Sequence, residues 1–344
     1  MISAAFTMAF LTMELLSGCG TSNDNVSAGM QAIQNLDYQA ALASFEEAIA
    51  QGENQRLICR GMGIAYMGMT DYAQASACFE EALKLSNGLI ENMDYDLNYY
   101  LAAAYTKENR LSEAEETYDA ILTMKPDETD AYFLRGNVRI GQGKTEEACS
   151  DFDKVADMEP ENYDRLIEIY EVLDYYSHTE TGKAYLQDAL SGENNKMTAY
   201  DKGRMYYYLG EYQQAYIALE DARSEGGAEA YLYLGRAYEA TGDYNYASSV
   251  YNAYLAKDTT NAEIYNQLGL CEMTKGEYEK ALSAFQSGMK AENNNIQQTL
   301  AYNEIIAYEY LGDFQKATVL MKTYLQNYPD DTKAKREYEF LSTR

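Results

Sequence analysis

The most restrictive feature of this 344-residue sequence is a short phrase that recurs about every 34 residues. Its clearest copy reads Gly-Asp-Tyr-x-x-Ala, at 242–247. The last residue of each copy is small and forms one column: Ala41, Ala75, Ala114, Ala148, Gly182, Ala215, Ala247, Ala281 and Ala317. A period of this length predicts a solenoid, because each repeated unit buries its apolar face only against its neighbours.

Other positions keep the same phase. Glycine stands twelve residues before the column in six copies: Gly29, Gly63, Gly136, Gly203, Gly235 and Gly269. An aromatic residue stands four residues after it in six copies: Phe45, Phe79, Tyr118, Phe152, Tyr251 and Phe285. Small residues let two helices approach closely, and we expect the aromatic rings to fill the space between one helical pair and the next. The Gly-Asp step predicts the end of the first helix, since glycine accepts a positive φ.

This pattern resembles the tetratricopeptide repeat. The resemblance covers about nine repeats over 22–331 and implies an all-α, right-handed superhelical solenoid of helix-turn-helix repeats. Residues 332–344 predict a C-terminal capping helix, because their apolar positions are spaced by three and four. Two repeats depart from the pattern: repeat 5 has Tyr170 in place of the glycine, and repeat 4 has Arg135 and Arg139 in place of an apolar and an aromatic residue.

The spacing of the repeats is irregular at one place, and no change of composition along the chain marks a domain boundary. The longest spacing, 39 residues, predicts a longer loop at 86–90. No boundary divides the chain, so the sequence predicts a single uninterrupted solenoid.

The charge balance excludes several classes of protein. Lys and Arg number 27 against 55 Asp and Glu, which gives a net charge of −28. Contacts to phosphate need basic side chains, so the sequence predicts no nucleic-acid partner. The single histidine, His178, argues against a multi-histidine metal site and against histidine-based catalysis. We therefore expect no enzymatic activity, no metal and no cofactor.

Two short motifs resemble ligand-binding sequences but coincide with positions of the repeat. Residues 141–145, Gly-Gln-Gly-Lys-Thr, resemble the end of a phosphate-binding loop, but Val138 stands where that loop needs its first glycine. Residues 94–98 alternate acids like a calcium loop, but Tyr99 stands where such a loop needs glycine, so only adventitious calcium binding stays open.

The four internal cysteines form no CxxC pair and are predicted to be buried, with a disulfide between Cys59 and Cys78 left open.

The N-terminus resembles an export signal. Residues 2–13 are uncharged, mostly apolar and too few to span a bilayer, which suits a signal peptide at 1–18. The sequence Leu-Ser-Gly-Cys that ends at Cys19 resembles the lipobox of bacterial lipoproteins, which implies lipid attachment to Cys19 and a short tether at 19–24. Glu14 and the lack of an early Lys or Arg depart from that pattern. The alternative is the N-terminal tail of a cytoplasmic protein.

In the tetratricopeptide family, the first helix of each repeat lines the concave face. The resemblance places these candidate groove residues there: Arg60, Tyr99, Phe133, Tyr175, Tyr200, Arg204, Tyr207, Tyr208, Arg236, Tyr302 and Tyr310. Acidic residues outnumber basic ones at the same helix positions, so the groove is predicted to be acidic. Of the 35 tyrosines, about half fall on the repeat columns, and the groove tyrosines belong to the surplus. Tyrosine suits contact with extended polypeptide, because it offers a ring and a hydroxyl at low entropic cost.

The sequence leads to three functional hypotheses. The first is a non-enzymatic scaffold, anchored to the bacterial membrane by lipid at Cys19, that binds a neutral or basic protein or peptide in the acidic groove. Such binding would weaken with salt. The second is a glycan-binding surface lipoprotein, against which the absence of tryptophan argues. The third is a cytoplasmic adaptor. The sequence leaves the identity of the partner and the oligomeric state open.

Overall fold

The computed structural model describes residues 23–192, 196–224, 227–292 and 294–344, which form helices joined by turns and loops and contain no strand. The helices fall into two compact units, which divide between Met158 and Glu159. The first unit contains α1 (Asp24–Gln34), α2 (Tyr38–Ala50), α3 (Gln55–Gly68), α4 (Tyr72–Lys84), α5 (Asn92–Lys107), α6 (Leu111–Met124), α7 (Thr129–Gly141) and α8 (Thr145–Met158). The second contains α9 (Tyr163–Tyr175), α10 (Thr179–Ser191), α11 (Ala199–Leu209), α12 (Tyr212–Ala222), α13 (Ala228–Ala240), α14 (Tyr244–Leu255), α15 (Ala262–Thr274), α16 (Tyr278–Gly288), α17 (Gln297–Tyr310), α18 (Phe314–Asn327) and α19 (Thr332–Leu341).

Helices α1 to α18 form nine consecutive helix-turn-helix pairs. The first helix of each pair is called the A helix and the second the B helix. The two helices of a pair pack against each other, and within each unit every B helix also packs against the next A helix. The last helix, α19, packs against α18 within the segment predicted to cap the C-terminus. A single solenoid that joins both units over 22–331 stays a prediction.

Packing of aromatic rings on glycines holds the pairs together. The ring of Phe45 in α2 is fully buried and faces Gly29 of its own pair and Gly61 of the next pair. A Cβ atom added at Gly29 would lie 2.6 Å from this ring, and one added at Gly61 would lie 2.2 Å from it. The sequence predicts rings between successive pairs. The structure adds that the same ring closes its own pair, which is why Gly29 admits no side chain.

The turn between A and B helices needs a residue in the left-handed region. Gly143 has a φ of 78°, so the segment that resembles a phosphate loop is the turn between α7 and α8. Four such turns place a non-glycine residue at positive φ: Leu36, Thr70, Asn109 and Ser177. In several repeats the next residue is an aspartate whose side chain accepts a hydrogen bond from the first turn of the B helix: Asp37, Asp71, Asp243 and Asp313.

The two arginines that depart from the pattern in repeat 4 belong to an ion cluster in the first unit. Asp151 of α8 is only 2% exposed, and it accepts hydrogen bonds from Arg135 Nε at 3.0 Å and from Arg139 Nη1 at 2.9 Å. Arg135 also pairs with Asp119, and Arg139 with Glu115, both on α6. A charged cluster therefore joins α6, α7 and α8 where other repeats use apolar packing.

The other two irregularities of the repeat pattern also have a structural basis. In repeat 5, Tyr170 of α9 takes the place of the glycine and packs against Gly182 of α10, where an added Cβ atom would lie 3.2 Å from the Cα atom of Tyr170. The long spacing is a loop between Lys84 and Asn92, where the sequence predicts one.

The predicted signal peptide at 1–18 and the lipidation site Cys19 lie outside the described residues, as does most of the tether at 19–24. In the part of the chain that the structure describes, no helix has both the length and the apolar character needed to cross a bilayer.

Candidate functional site

The A helices of each unit share one face. Neighbouring A helices contact one another, as α1 contacts α3 and α11 contacts α13, whereas a B helix such as α2 or α12 lies between two A helices. Side chains on this face can therefore meet across repeats, although 25 to 40 residues separate them in sequence. This is the face on which the sequence places the candidate groove.

Five tyrosines of the second unit form a connected group on α9, α11 and α13, here called the tyrosine cluster: Tyr170, Tyr200, Tyr207, Tyr208 and Tyr233. The Tyr208 ring centroid lies 5.4 Å from that of Tyr170 and 5.5 Å from that of Tyr207. Tyr233 is 5.6 Å from Tyr207, 6.1 Å from Tyr208 and 6.1 Å from Tyr200, again between ring centroids. These separations and the tilted or edge-on orientations are those that aromatic rings prefer. All five side chains are half-buried, so each ring keeps some surface for a partner.

Hydrogen bonds fix the hydroxyl groups at the centre of the cluster. Tyr208 donates to Glu171 Oε1 at 2.8 Å, and its oxygen lies 3.2 Å from that of Tyr233. Burial raises the pKa of Tyr208, and burial raises the pKa of Tyr200 to about 12. Because burial favours the uncharged phenol, these two side chains present neutral hydroxyls and rings near neutral pH.

Both arginines predicted for this part of the groove are already paired. Arg204 is 9% exposed, and it donates to Asp201 Oδ1 at 2.7 Å and to Asp164. Its guanidinium carbon lies 4.5 Å from the centroid of Tyr200. Arg204 therefore offers little free charge to a ligand, and its place in the groove stays a prediction. The side chain is an internal ion bridge between α9 and α11.

Arg236 has a similar arrangement nearer the surface. It donates to Glu263 Oε1 at 3.0 Å, and its guanidinium carbon lies 5.7 Å from the centroid of Tyr233. Contact with a cation holds the aromatic ring in place, since the ring face attracts positive charge. With Arg204 and Arg236 neutralised by their partners, carboxylates such as Glu171 set the sign of the charge that a ligand would meet.

The remaining candidates of the second unit lie apart from the tyrosine cluster. Tyr175 is 62% exposed at the end of α9. Tyr302 packs edge-on against Tyr324, with their centroids 5.8 Å apart, and Tyr310 is exposed beside Tyr278. The structure therefore joins three of the predicted groove tyrosines and leaves these three elsewhere on the second unit.

The three candidate groove residues of the first unit each contact a different neighbour and form no common group. Arg60 is ion-paired with Asp96 of α5, and Tyr99 packs edge-on against a ring of α6. Phe133 is 9% exposed, and its centroid lies 6.1 Å from that of Phe152. The ring packs in the core between α7 and α8, and the assignment of Phe133 to a groove stays a prediction.

The repeat pattern does not predict two members of the tyrosine cluster. Tyr170 is a departure from the pattern in repeat 5, and Tyr233 falls outside the helix positions that the family uses for binding. A signal for Tyr233 does exist in the sequence. It stands three residues before Arg236 on α13, a spacing that brings two side chains together on one helix face.

The other motifs of the sequence serve the fold. Asp94 caps α5 and pairs with Arg56, so both that acid and Asp96 of the calcium-like segment are held by arginines. Cys59 and Cys78 are free thiols, and burial raises the pKa of Cys78 to about 11. In the described ranges, no three His, Cys, Asp or Glu side chains are placed to hold a metal ion.

Comparison with known proteins places the chain in a class. One model of the tetratricopeptide repeat matches residues 60–129 and 200–262, and a second matches 129–162 and 262–295. Together these matches cover more than half of the chain. The chain therefore belongs to the tetratricopeptide repeat family, as its helix pairs indicate.

Individual relatives are distant. The chain is 28% identical to DnaJ homolog subfamily C member 7 homolog of Dictyostelium discoideum over 47% of this chain and 34% of that protein. It is 24% identical to human RNA polymerase II-associated protein 3 over 56% of this chain and 30% of that protein. The chain thus spans about a third of the length of these curated relatives.

Solved structures of similar fold are also distant. A tetratricopeptide repeat protein from Parabacteroides merdae is 15% identical, with a TM-score of 0.45 over 74% of this chain and 98% of that one. MamA from Desulfovibrio magneticus is 19% identical, with a TM-score of 0.43 over 53% of this chain and 100% of that one.

Proposed function

We propose that this chain is a non-enzymatic scaffold that binds another protein, and that the tyrosine cluster receives an extended, neutral or basic segment of that partner. The observation that carries the proposal is the cluster itself: five half-buried tyrosines contact one another on the A-helix face, with Glu171 among them. Membership of a family of repeat scaffolds supports protein binding in general.

The chemistry of the cluster favours a particular partner. Neutral tyrosine hydroxyls both donate and accept hydrogen bonds, so they suit a peptide backbone. The paired arginines offer little to an acidic ligand, whereas Glu171 and the overall charge of −28 attract a basic one. Binding should therefore weaken as salt is added.

A defined peptide pair tests this proposal on the full chain. Fluorescently labelled lysine-containing and glutamate-containing peptides of equal length and otherwise equal composition are titrated by anisotropy. We expect the basic peptide to bind more tightly than the acidic one. The Tyr207→Ala/Tyr208→Ala variant should bind the basic peptide at least about tenfold more weakly, because central aromatic contacts carry much of the binding energy of an interface. The control is Tyr246→Ala, which removes an exposed tyrosine from the B helix α14. Equal effects of the cluster and control variants would refute the proposal.

The lipid anchor rests on the residues that end at Cys19. We propose that the chain is exported and anchored by lipid at this cysteine. Growth with an alkyne fatty acid should label the wild type and leave the Cys19→Ser variant unlabelled. Label that persists in the variant would refute the anchor, and an unlabelled wild type in the soluble cell fraction would favour the cytoplasmic adaptor. Binding to a glycan array but to no peptide would favour the glycan-binding alternative.

A further inference from the structure

A groove of about 500 Å³ lies on the side of the second unit formed by B helices. Its sides are α14 and α16, the B helices of repeats 7 and 8, and its floor is α15, which packs against both. Small side chains on α16 leave the groove open, among them Ser283, Ala284 and Ser287. None of the tyrosine cluster lines it, so this groove is separate from the proposed protein-binding site.

The floor of the groove carries a buried carboxylate with one unused oxygen. Glu272 is 4% exposed, and its Oε1 accepts a hydrogen bond from Lys275 Nζ at 3.0 Å. Its Oε2 is buried and has no hydrogen-bond partner among the described residues. A buried acceptor without a donor is unfavourable, so a ligand that brings an N–H group to this oxygen gains free energy.

The walls define the rest of the ligand. Leu255, Leu268 and Ala284 supply apolar surface beside Glu272, and two serines with Asn252 supply further polar atoms. An aliphatic stem suits the apolar surface and a charged nitrogen suits the carboxylate, which is the division of a lysine-like side chain.

The surrounding charges permit a second cation at Glu272. Lys280 at the edge of the groove is exposed and ion-paired with Glu277, so it does not occupy the carboxylate. A single carboxylate that serves two cations has a precedent in this chain, because Asp151 accepts hydrogen bonds from Arg135 and Arg139 together.

We propose that this groove binds a primary alkylammonium group, with its nitrogen on Glu272 Oε2 and its aliphatic stem against Leu255 and Leu268. The group can belong to a free diamine or to a lysine side chain of another protein. Both sources share the same chemistry, and the two arms of the experiment separate them.

The first arm titrates the full chain with 1,5-diaminopentane by isothermal calorimetry, with 1,5-pentanediol as the uncharged probe of the same length. The second arm uses N-acetyl-lysine methylamide against its norleucine counterpart. We expect each amine to bind and each uncharged probe to bind at least about tenfold more weakly, because the buried carboxylate selects for charge. Tighter binding of the diamine would identify a free amine as the ligand, and tighter binding of the lysine amide a protein side chain. A diol or norleucine probe that binds as well as its amine would overturn the proposal.

Two variants locate the binding. Glu272→Gln keeps the shape of the side chain but removes its charge, and Ser287→Leu fills the groove from a half-buried position. Both variants should lower the affinity for the amines at least about tenfold. The control is Glu279→Gln, at an exposed position of α16 that does not line the groove, and it should leave the affinity unchanged. Equal losses in Glu272→Gln and Glu279→Gln would show a general charge effect and refute the site. If Glu272→Gln fails to fold, Ser287→Leu decides. Amine binding that survives Tyr207→Ala/Tyr208→Ala separates this site from the tyrosine cluster.

Discussion

Replacing Asp151 with alanine removes the anion that two arginines of α7 share. Three hydrogen bonds reach this carboxylate: two from Arg135, through Nε and Nη2, and one from Arg139 Nη1. The aspartate is 2% exposed, so water does not replace the lost contacts without local rearrangement. The variant therefore leaves two guanidinium groups short of a partner inside the first unit.

The structure also sets the size of the effect. Removing one partner of a buried ion pair costs about 3–5 kcal/mol. The arginines keep Asp119 and Glu115, and their side chains stay 14% and 16% exposed, so the loss should fall at the lower end, about 3 kcal/mol. This is a large part of the stability of an ordinary domain.

Hydrogen exchange followed by mass spectrometry measures the loss locally, which matters because two compact units need not unfold together. A loss of about 3 kcal/mol corresponds to exchange on the order of a hundredfold faster in peptides from α6, α7 and α8. The matched control is Asp153→Ala, an exposed acid on the same helix, which should change stability by less than about 0.5 kcal/mol. Equal effects of Asp151→Ala and Asp153→Ala would refute the role of the cluster. The triple variant Asp151→Ala/Arg135→Leu/Arg139→Tyr should recover most of the loss, because apolar packing replaces buried ion pairs well.

Three further predictions concern the repeat and the C-terminal cap. Gly269→Ala should lower the free energy of unfolding by about 1–2 kcal/mol in urea titration, because its Cβ atom would lie 2.3 Å from the ring of Phe285; unchanged stability would contradict the ring-on-glycine packing. Thr70→Gly should raise the melting temperature through a gain of about 1 kcal/mol, since Thr70 has a φ of 61° that a branched residue tolerates poorly; a lower melting temperature would argue against strain at this turn. Burial and the neighbouring carboxylate of Glu337 raise the pKa of Glu309 to about 7 from 4.5. Because the folded state then binds the proton more tightly than the unfolded state, this group stabilises the fold as pH falls from about 7 to about 4.5, and Glu309→Gln should remove that part of the pH dependence of the urea midpoint. Parallel pH profiles for the two proteins would contradict this assignment.

The sequence alone determines the helix pairs, because the information that defines them is local. A glycine, an aromatic ring and a small residue at constant spacing specify where each A helix and B helix packs, and Gly-Asp steps mark the turns between them. The same phase explains why the phosphate-like and calcium-like motifs are parts of the repeat. The departures in repeats 4 and 5 are visible in the sequence, but the side-chain contacts that replace the usual packing in these repeats are not.

Only the tertiary structure decides what the A-helix face offers to a partner. Arg204 meets Asp164, 40 residues away, and Tyr208 meets Glu171, 37 residues away, so neither pairing follows from the pattern inside one repeat. Phe133 keeps the spacing of a groove residue, yet its ring lies in the core against Phe152. The groove whose floor carries Glu272 likewise needs three helices from two repeats. Periodicity specifies contacts that every repeat shares, whereas a binding site arises from the side chains in which neighbouring repeats differ.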